Sequence, residues 1–368
     1  MDLLQTLGPQ AFEVTFFLSF LLLLYSALTL HMLMSLVFFS LVYYTYQVIG
    51  RRTAKYAVPT DKYVLITGCD TGIGHSLAIT LDDIGFSVIA TCLRGEGEGA
   101  KQLRKAGSKR MHVLEVDISS DESVANSLKY VENECKMTGL WALVNNAGIN
   151  FLGDVELATM KQYSHINNVN NFGPLRMSKA FLPLIRKARG RIVNVTSVKG
   201  RFALPSNAAY SMTKWAGENL SDTLRLEMKR FGVKVIIMEP GHFGGATGCL
   251  NKEGIARIRK DLDEQWEEAS EDVRQTYGKD YLDEQFQAAI ASSSTSFPTL
   301  HPIMVAFKDA LLNEQPQKRY LTDGSNGLYD PYCLCARLYS VLPETWMDKV
   351  VDYYFGGGPI ADALKKEA

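Results

Sequence analysis

The chain has 368 residues, 46% of them hydrophobic and 21% charged, with a net charge of -1. That is the composition of a globular protein of one large or two small domains, and it carries no basic excess for binding nucleic acid. The six cysteines, Cys69, Cys92, Cys135, Cys249, Cys333 and Cys335, have neither disulfide-framework nor zinc-ligand spacing. No metal site is expected, a reducing compartment suits the main domain, and Cys333–Leu334–Cys335 reads as a pair of buried thiols.

After a tail over 1–13, residues 14–49 contain no Asp, Glu, Lys or Arg. One bilayer crossing takes about 20 apolar residues, so this stretch suits one long tilted helix or a tight hairpin turning near Ser26–His31. It is too long for the apolar region of a secretory signal, and no basic segment precedes it. Arg51, Arg52 and Lys55 follow at once, which places the downstream part in the cytosol by the positive-inside rule. Residues 50–62 read as a linker.

From Tyr63 onward, apolar β-rich runs alternate with amphipathic segments of helical length. The runs are 63–68, 87–93, 111–117, 141–148, 191–197 and 233–241. Nearly continuous apolar strands indicate a parallel sheet covered on both faces, and the alternation gives a doubly wound α/β fold over 63–250. The helix after Tyr210 closes at Phe231–Gly232, with glycine as its C-cap. Residues 251–330 hold a charged helical lid and a last strand at "KRYLTD", and 331–368 form an apolar C-terminal segment.

The first strand runs into "TGCDTGIG", which places Gly68, Gly72 and Gly74 in a turn that opens a helix. Glycines there permit a tight turn and close approach to a pyrophosphate, which the helix N-terminus attracts. The spacing is that of the short-chain dehydrogenase/reductase family, which the chain resembles from 63 to about 250. Thr67 to Gly74, with Asp70, Thr71 and Ile73 inside, resembles the family's cofactor turn. Asp117 matches its adenine-binding acid, and Asn145–Asn146–Ala147–Gly148 its strand-four end. Asn170, Ser197, Tyr210 and Lys214 stand where the family has its catalytic four, and Pro240–Gly241 where it has a Pro-Gly after strand six. The resemblance implies a Rossmann-type domain, a nicotinamide cofactor and a homodimer through the Tyr210 helix. "TGCDTGIG", "FLPLIRKARGRIVNV" and "EDVRQTYGKDYLDEQF" are similar to the membrane-associated branch that acts on hydroxysteroids, retinol and D-3-hydroxybutyrate.

Converting an alcohol to a ketone removes a hydride and a proton. A free tyrosine, with a pKa near 10, is a poor base at neutral pH. Lys214, one helical turn along the same face, lowers that pKa and can hold the nicotinamide ribose. Ser197 can hydrogen-bond the substrate oxygen, and the resemblance gives Asn170 a helix kink and a water for proton relay. At the end of strand two the acid that would select NAD is missing, and Arg94 there could pair with the 2′-phosphate of NADP. Glu96 and Glu98 oppose that, so NAD is expected and NADP stays open. Gly245 stands where the family often has a threonine, with Thr247 two further on.

A membrane anchor and an apolar mouth suit a lipophilic alcohol or ketone such as a steroid or retinoid, with the endoplasmic reticulum as the expected membrane. A small hydroxy acid would need a cationic clamp, for which Lys199, Arg201 and His242 are the nearby residues. His242 joins Ser197 and Tyr210 as an expected substrate contact. A non-catalytic dinucleotide- or lipid-binding scaffold is the alternative of another class.

Overall fold

The computed structural model describes residues 9–52, 55–247, 250–356 and 358–365. Cys249, part of the expected tail and two linker residues lie outside them. The chain divides into two units, Met1–Tyr56 and Ala57–Ala368.

The first unit contains one uninterrupted helix, α1 (Pro9–Arg52), rather than a hairpin. Between Ser26 and His31 there is no glycine or proline to break it. Ser26 and Thr29 instead fold their hydroxyls back onto the carbonyls of Leu23 and Tyr25, at 2.9 and 3.0 Å, and so stay satisfied without water. Its apolar stretch Phe17–Val42 has 26 residues, which at 1.5 Å per residue is about 39 Å, long enough to cross a bilayer core.

The second unit is built on seven parallel strands: β1 (Tyr63–Ile66), β2 (Ser87–Cys92), β3 (Met111–Glu115), β4 (Ala142–Asn145), β5 (Arg191–Val195), β6 (Lys234–Pro240) and β7 (Arg319–Thr322). Their order is β3-β2-β1-β4-β5-β6-β7. Chain direction across the sheet reverses between β1 and β4, which opens a crevice beyond their carboxyl ends. The helices between strands are α2 (Gly72–Asp83), α3 (Glu98–Ala106), α4 (Asp121–Glu134), α5 (Met160–Asn167), α6 (Gly173–Ala188) and α7 (Ala208–Met228). One sheet face packs Leu77 and Leu81 of α2 with Phe307 and Leu311. The other packs Val131, Phe181, Ile185 and Leu224 of α4, α6 and α7. Gly232, at φ +70°, ends the turn after α7, as its place in the sequence predicts.

The charged segment forms α8 (Lys252–Glu268), α9 (Glu271–Tyr277) and α10 (Lys279–Ala291), followed by α11 (His301–Leu312). Leu262, Tyr281 and Leu282 close this group over Leu157. The C-terminal segment forms α12 (Pro331–Leu338), α13 (Glu344–Phe355) and the short α14 (Asp362–Lys365). Cys333, Cys335 and Met347 pack there on Val198 and Phe202, beside the end of β5. The five described cysteines are free and buried, and burial pushes the Cys92 and Cys135 thiols up to about 12, which makes them inert packing groups.

Candidate active site

The nucleotide end of the crevice is laced by two short side chains. Thr67 Oγ1 accepts the N–H groups of Asn146 and Ala147, each at 3.0 Å. Asn146 Nδ2 donates to the carbonyls of Thr67 and Gly68 at 2.9 and 3.0 Å. The ends of β1 and β4 are thereby fixed to each other around the turn. Gly68 and Gly72 have φ of +69° and +63°, a region open to glycine at little cost. A Cβ on Gly74 would fall 2.4 Å from the Gly68 carbonyl oxygen. Thr71 precedes α2 in extended conformation without a side-chain cap bond, so the first-turn N–H groups are left to an outside acceptor. This cradle fits a pyrophosphate.

Asp70 braces the turn from the side: its carboxylate accepts the N–H of Leu93 at 2.9 Å and of Arg94 at 3.3 Å. Arg94 lies exposed at the rim. Glu96 pairs with Arg104 at 3.4 Å, and Glu115, which the sequence did not single out, accepts the Gly95 N–H at 2.6 Å. Asp117 lies two residues beyond β3 and accepts from the backbone and hydroxyl of Ser119, at 2.8 and 2.6 Å.

Asn170 occupies a π-helical turn, Asn168–Phe172, inserted between α5 and α6. Where the resemblance implies a kink, the helix carries an extra residue in its turn. Its amide exchanges two hydrogen bonds with the backbone of Ile149, both 2.9 Å, and donates to Thr213 Oγ1 at 3.0 Å. One side chain thus fastens the segment after β4 to the Tyr210 helix. Gly148 lies where a Cβ would be 3.3 Å from Asn170 Oδ1 and 3.7 Å from Lys214 Nζ. Lys214 Nζ donates to the Val195 carbonyl at 3.0 Å and stands 5.3 Å from the Tyr210 ring centre. Ser197, buried at the end of β5, accepts the Lys199 N–H at 3.2 Å. Behind it, Gly200 sits against Lys214, where a Cβ would be 2.9 Å from the lysine carbonyl. The structure therefore gathers Gly148, Asn170, Tyr210 and Lys214 at the strand end that carries Ser197.

The three candidate cations have separate fates. Arg201 pairs with Glu239 at 2.9 Å. His242 donates from its ring to the Ser292 carbonyl at 2.6 Å and stacks on Tyr332, ring centres 5.2 Å apart. Burial holds its pKa below the usual value, so it is a neutral strut between the loop after β6 and the lid. Lys199 alone lies beside the tyrosine, its Nζ 5.9 Å from the Tyr210 ring and 2.7 Å from Asn207 Oδ1.

After Pro240, Gly241 donates to Thr322 at 2.8 Å. A Cβ there would fall 2.3 Å from Asp330 Oδ2. Asp330, 1% exposed, accepts from the backbone N–H of His242, Gly324, Tyr332 and Cys333. It ties the loop after β6 to the start of α12. The sequence reading passed over it, although Asp followed by Pro is a helix-start signal. Thr247 turns its hydroxyl back to Gly244 at 3.1 Å, and Gly245 N–H goes to Ser296 Oγ at 2.9 Å.

A second latch was also absent from the sequence reading. Asp154 accepts from Ser206 Oγ at 2.6 Å and from the Tyr281 hydroxyl, and Gln285 donates to Ser206 Oγ at 3.0 Å. Ser206 itself has φ +58°, a left-handed conformation held by these bonds four residues before Tyr210.

A family model described as a short chain dehydrogenase matches residues 62–253. The chain belongs to this family and is an NAD(P)-dependent dehydrogenase acting on hydroxyl groups. It is 42% identical over 281 residues to D-beta-hydroxybutyrate dehydrogenase, mitochondrial, of Bos taurus, covering 74% of this chain and 80% of that one. It is 36% identical over 311 residues to estradiol 17-beta-dehydrogenase 2 of Mus musculus, covering 84% and 79%. With retinol dehydrogenase 7 of Mus musculus it shares 38% over 260 residues, 71% and 80% of the two chains. A short-chain dehydrogenase from Streptomyces avermitilis superposes with a TM-score of 0.51 at 23% identity, over 83% of this chain and 94% of that one, a likeness of fold.

Proposed function

We propose that the protein is a membrane-anchored dehydrogenase that interconverts a secondary alcohol and a ketone on a lipophilic substrate of steroid, sterol or retinoid type. The observation that carries this reading is the convergence of Asn170 and Lys214 on Gly148, with the Tyr210 ring beside Lys214, at the strand end bearing Ser197. The dinucleotide, when bound, supplies the hydride acceptor or donor. Gly68, Gly72 and Gly74 would hold its pyrophosphate, Asp117 and the Asn146–Gly148 segment would flank its adenosine and nicotinamide ends, and Lys214 would grip a ribose. Tyr210 accepts the hydroxyl proton during oxidation and returns it during reduction. Lys214 favours the phenolate that this requires. Ser197 holds the substrate oxygen and stabilises the charge that develops on it.

NAD is the favoured dinucleotide. Asp70 and Glu115 hold the backbone of Arg94 and Gly95, so two carboxylates stand beside the place a 2′-phosphate would occupy, and they oppose it. α1 would span the membrane of the endoplasmic reticulum, with Arg51, Arg52 and Lys55 keeping the catalytic unit on the cytosolic side.

A small hydroxy acid is the second reading. The Lys199 ammonium beside Tyr210 could take a carboxylate, and the bovine relative is named for hydroxybutyrate. Membranes containing the full chain, offered estradiol, retinol and D-3-hydroxybutyrate with NAD+ or NADP+, decide between the two. Turnover of the lipids with NAD+ is expected. Turnover of hydroxybutyrate alone would reverse the substrate assignment, and undiminished turnover by Tyr210→Phe would remove the mechanism.

A further inference from the structure

The family motif gives Tyr210 one cation, Lys214, on its own helix. The structure brings a second from a different element. Lys199 follows Ser197 by two residues, in the short turn Val198–Gly200 that packs on α7. Its Nζ lies 5.9 Å from the Tyr210 ring centre, close to the 5.3 Å of Lys214. It is held there by the Asn207 amide at 2.7 Å and by the face of Tyr332, 5.8 Å from the ring centre. Asn207 is buried and itself donates to the Pro205 carbonyl at 3.0 Å, so the contact places the ammonium without neutralising it.

We propose that Lys199 is a second positioning residue for the proton on Tyr210, bracketing the phenol with Lys214 so that its phenolate forms at lower pH. This rests on the reading of Tyr210 as the proton-transferring group. The physical ground is the energy of a negative phenolate between two ammonium groups rather than beside one. Other charged and titratable groups also face this place. His242, from the loop after β6, is kept uncharged by burial and by the nearby Lys199 charge. Tyr332 and Tyr163 are phenols whose own burial keeps them protonated. The carboxylate of Asp330, held by four backbone N–H groups, opposes the effect.

The test titrates the phenol directly and so needs no substrate. The full chain in detergent is labelled with [13Cζ]tyrosine, and the Tyr210 resonance is identified by its loss in Tyr210→Phe. In Lys199→Met the Tyr210 midpoint should rise by about one pH unit. Lys199→Gln keeps a donor for Asn207 without the charge and should rise equally, while Lys199→Arg should restore the native midpoint. The acid limb of log kcat/KM for alcohol oxidation should move upward with the midpoint, because removing a cation disfavours the phenolate. An unmoved midpoint in the Met and Gln variants would overturn the proposal. So would a shift in Met alone, which would assign the effect to the Asn207 contact. Failure of the catalytic reading is a separate outcome: Tyr210→Phe would then retain turnover whatever the titration shows.

Discussion

Around the glycine turn, Thr67 and Asn146 spend their hydrogen bonds on main-chain groups of the turn and the facing strand end. Around the substrate side, the cross-links join side chains far apart in sequence, such as Asp154 with Tyr281 and Glu218 with Arg319. The first arrangement depends on the absence of volume, because backbone must approach backbone. The second depends on the presence of particular polar atoms. Added carbon should therefore damage the nucleotide end, and deleted charge should damage the substrate end.

The largest effect is expected from Arg319→Met. Arg319, on β7, bonds Glu218 and Asp222 of α7 and Glu239 of β6, the last at 3.0 Å. Its loss leaves the buried Glu218 without its cation, while Glu239 keeps Arg201 and the half-exposed Asp222 keeps Arg225, and should cost about 3 kcal/mol by thermal unfolding in detergent. Burial and the neighbouring Glu239 already raise the Glu218 carboxyl above its usual range. Folded Glu218 thus keeps its proton more tightly than the unfolded chain, and stability falls as pH rises through that window. Without Arg319 the window widens, so the deficit should be small in acid and complete at neutral pH. A deficit independent of pH would contradict this account.

Asp330→Ala should cost about 2 kcal/mol, since backbone donors that lose a buried acceptor pay their desolvation. It should also release the loop at His242, which proteolysis between 242 and 251 would reveal. Gly68→Ala attacks the other end. A Cβ there meets Ala147 Cα at 2.7 Å on a backbone of φ +69°, a strain of about 2 kcal/mol. NADH affinity should fall well before the fold does, and unchanged affinity would mean that the turn does not hold the dinucleotide. Tyr281→Phe removes one hydrogen bond from Asp154, about 1 kcal/mol, and should raise KM more than it lowers kcat if the latch closes the substrate side. The smallest effect concerns His242. Its lowered pKa makes the folded state prefer neutral imidazole, so stability is lost as pH falls below the usual imidazole value. His242→Gln should flatten that slope by less than about 1 kcal/mol.

The parts visible in the sequence were those set by main-chain geometry. Gly68, Gly72 and Gly74 carry a local requirement that their spacing announces, and the six apolar runs and "KRYLTD" marked the seven strands. Phe231–Gly232 marked a helix end for the same reason. Asp154, Ser206, Glu115 and Asp330 were not visible, because each acts on a partner that only the tertiary fold supplies. His242 was expected near the site from its position after Pro240–Gly241. Its neutral strut role depends on Ser292, fifty residues away, and on burial, neither of which a linear pattern displays. The hairpin alternative for α1 stayed open in the sequence because length alone does not choose between one long helix and two short ones. The choice follows from the lack of any helix-breaking residue between Ser26 and His31.

The position of Asp330 in the chain also orders events during synthesis. The segment that closes the loop after β6 is translated after every strand of the sheet, whereas α1 is translated before them. If α1 directs the chain to a membrane, as proposed, it would do so before the catalytic pocket is complete. A nascent chain halted before residue 330 would carry the nucleotide cradle, Ser197, Tyr210 and Lys214 while its Gly241–His242 loop still lacked the Asp330 anchor. Competence would be gained late, when the segment carrying Asp330 docks.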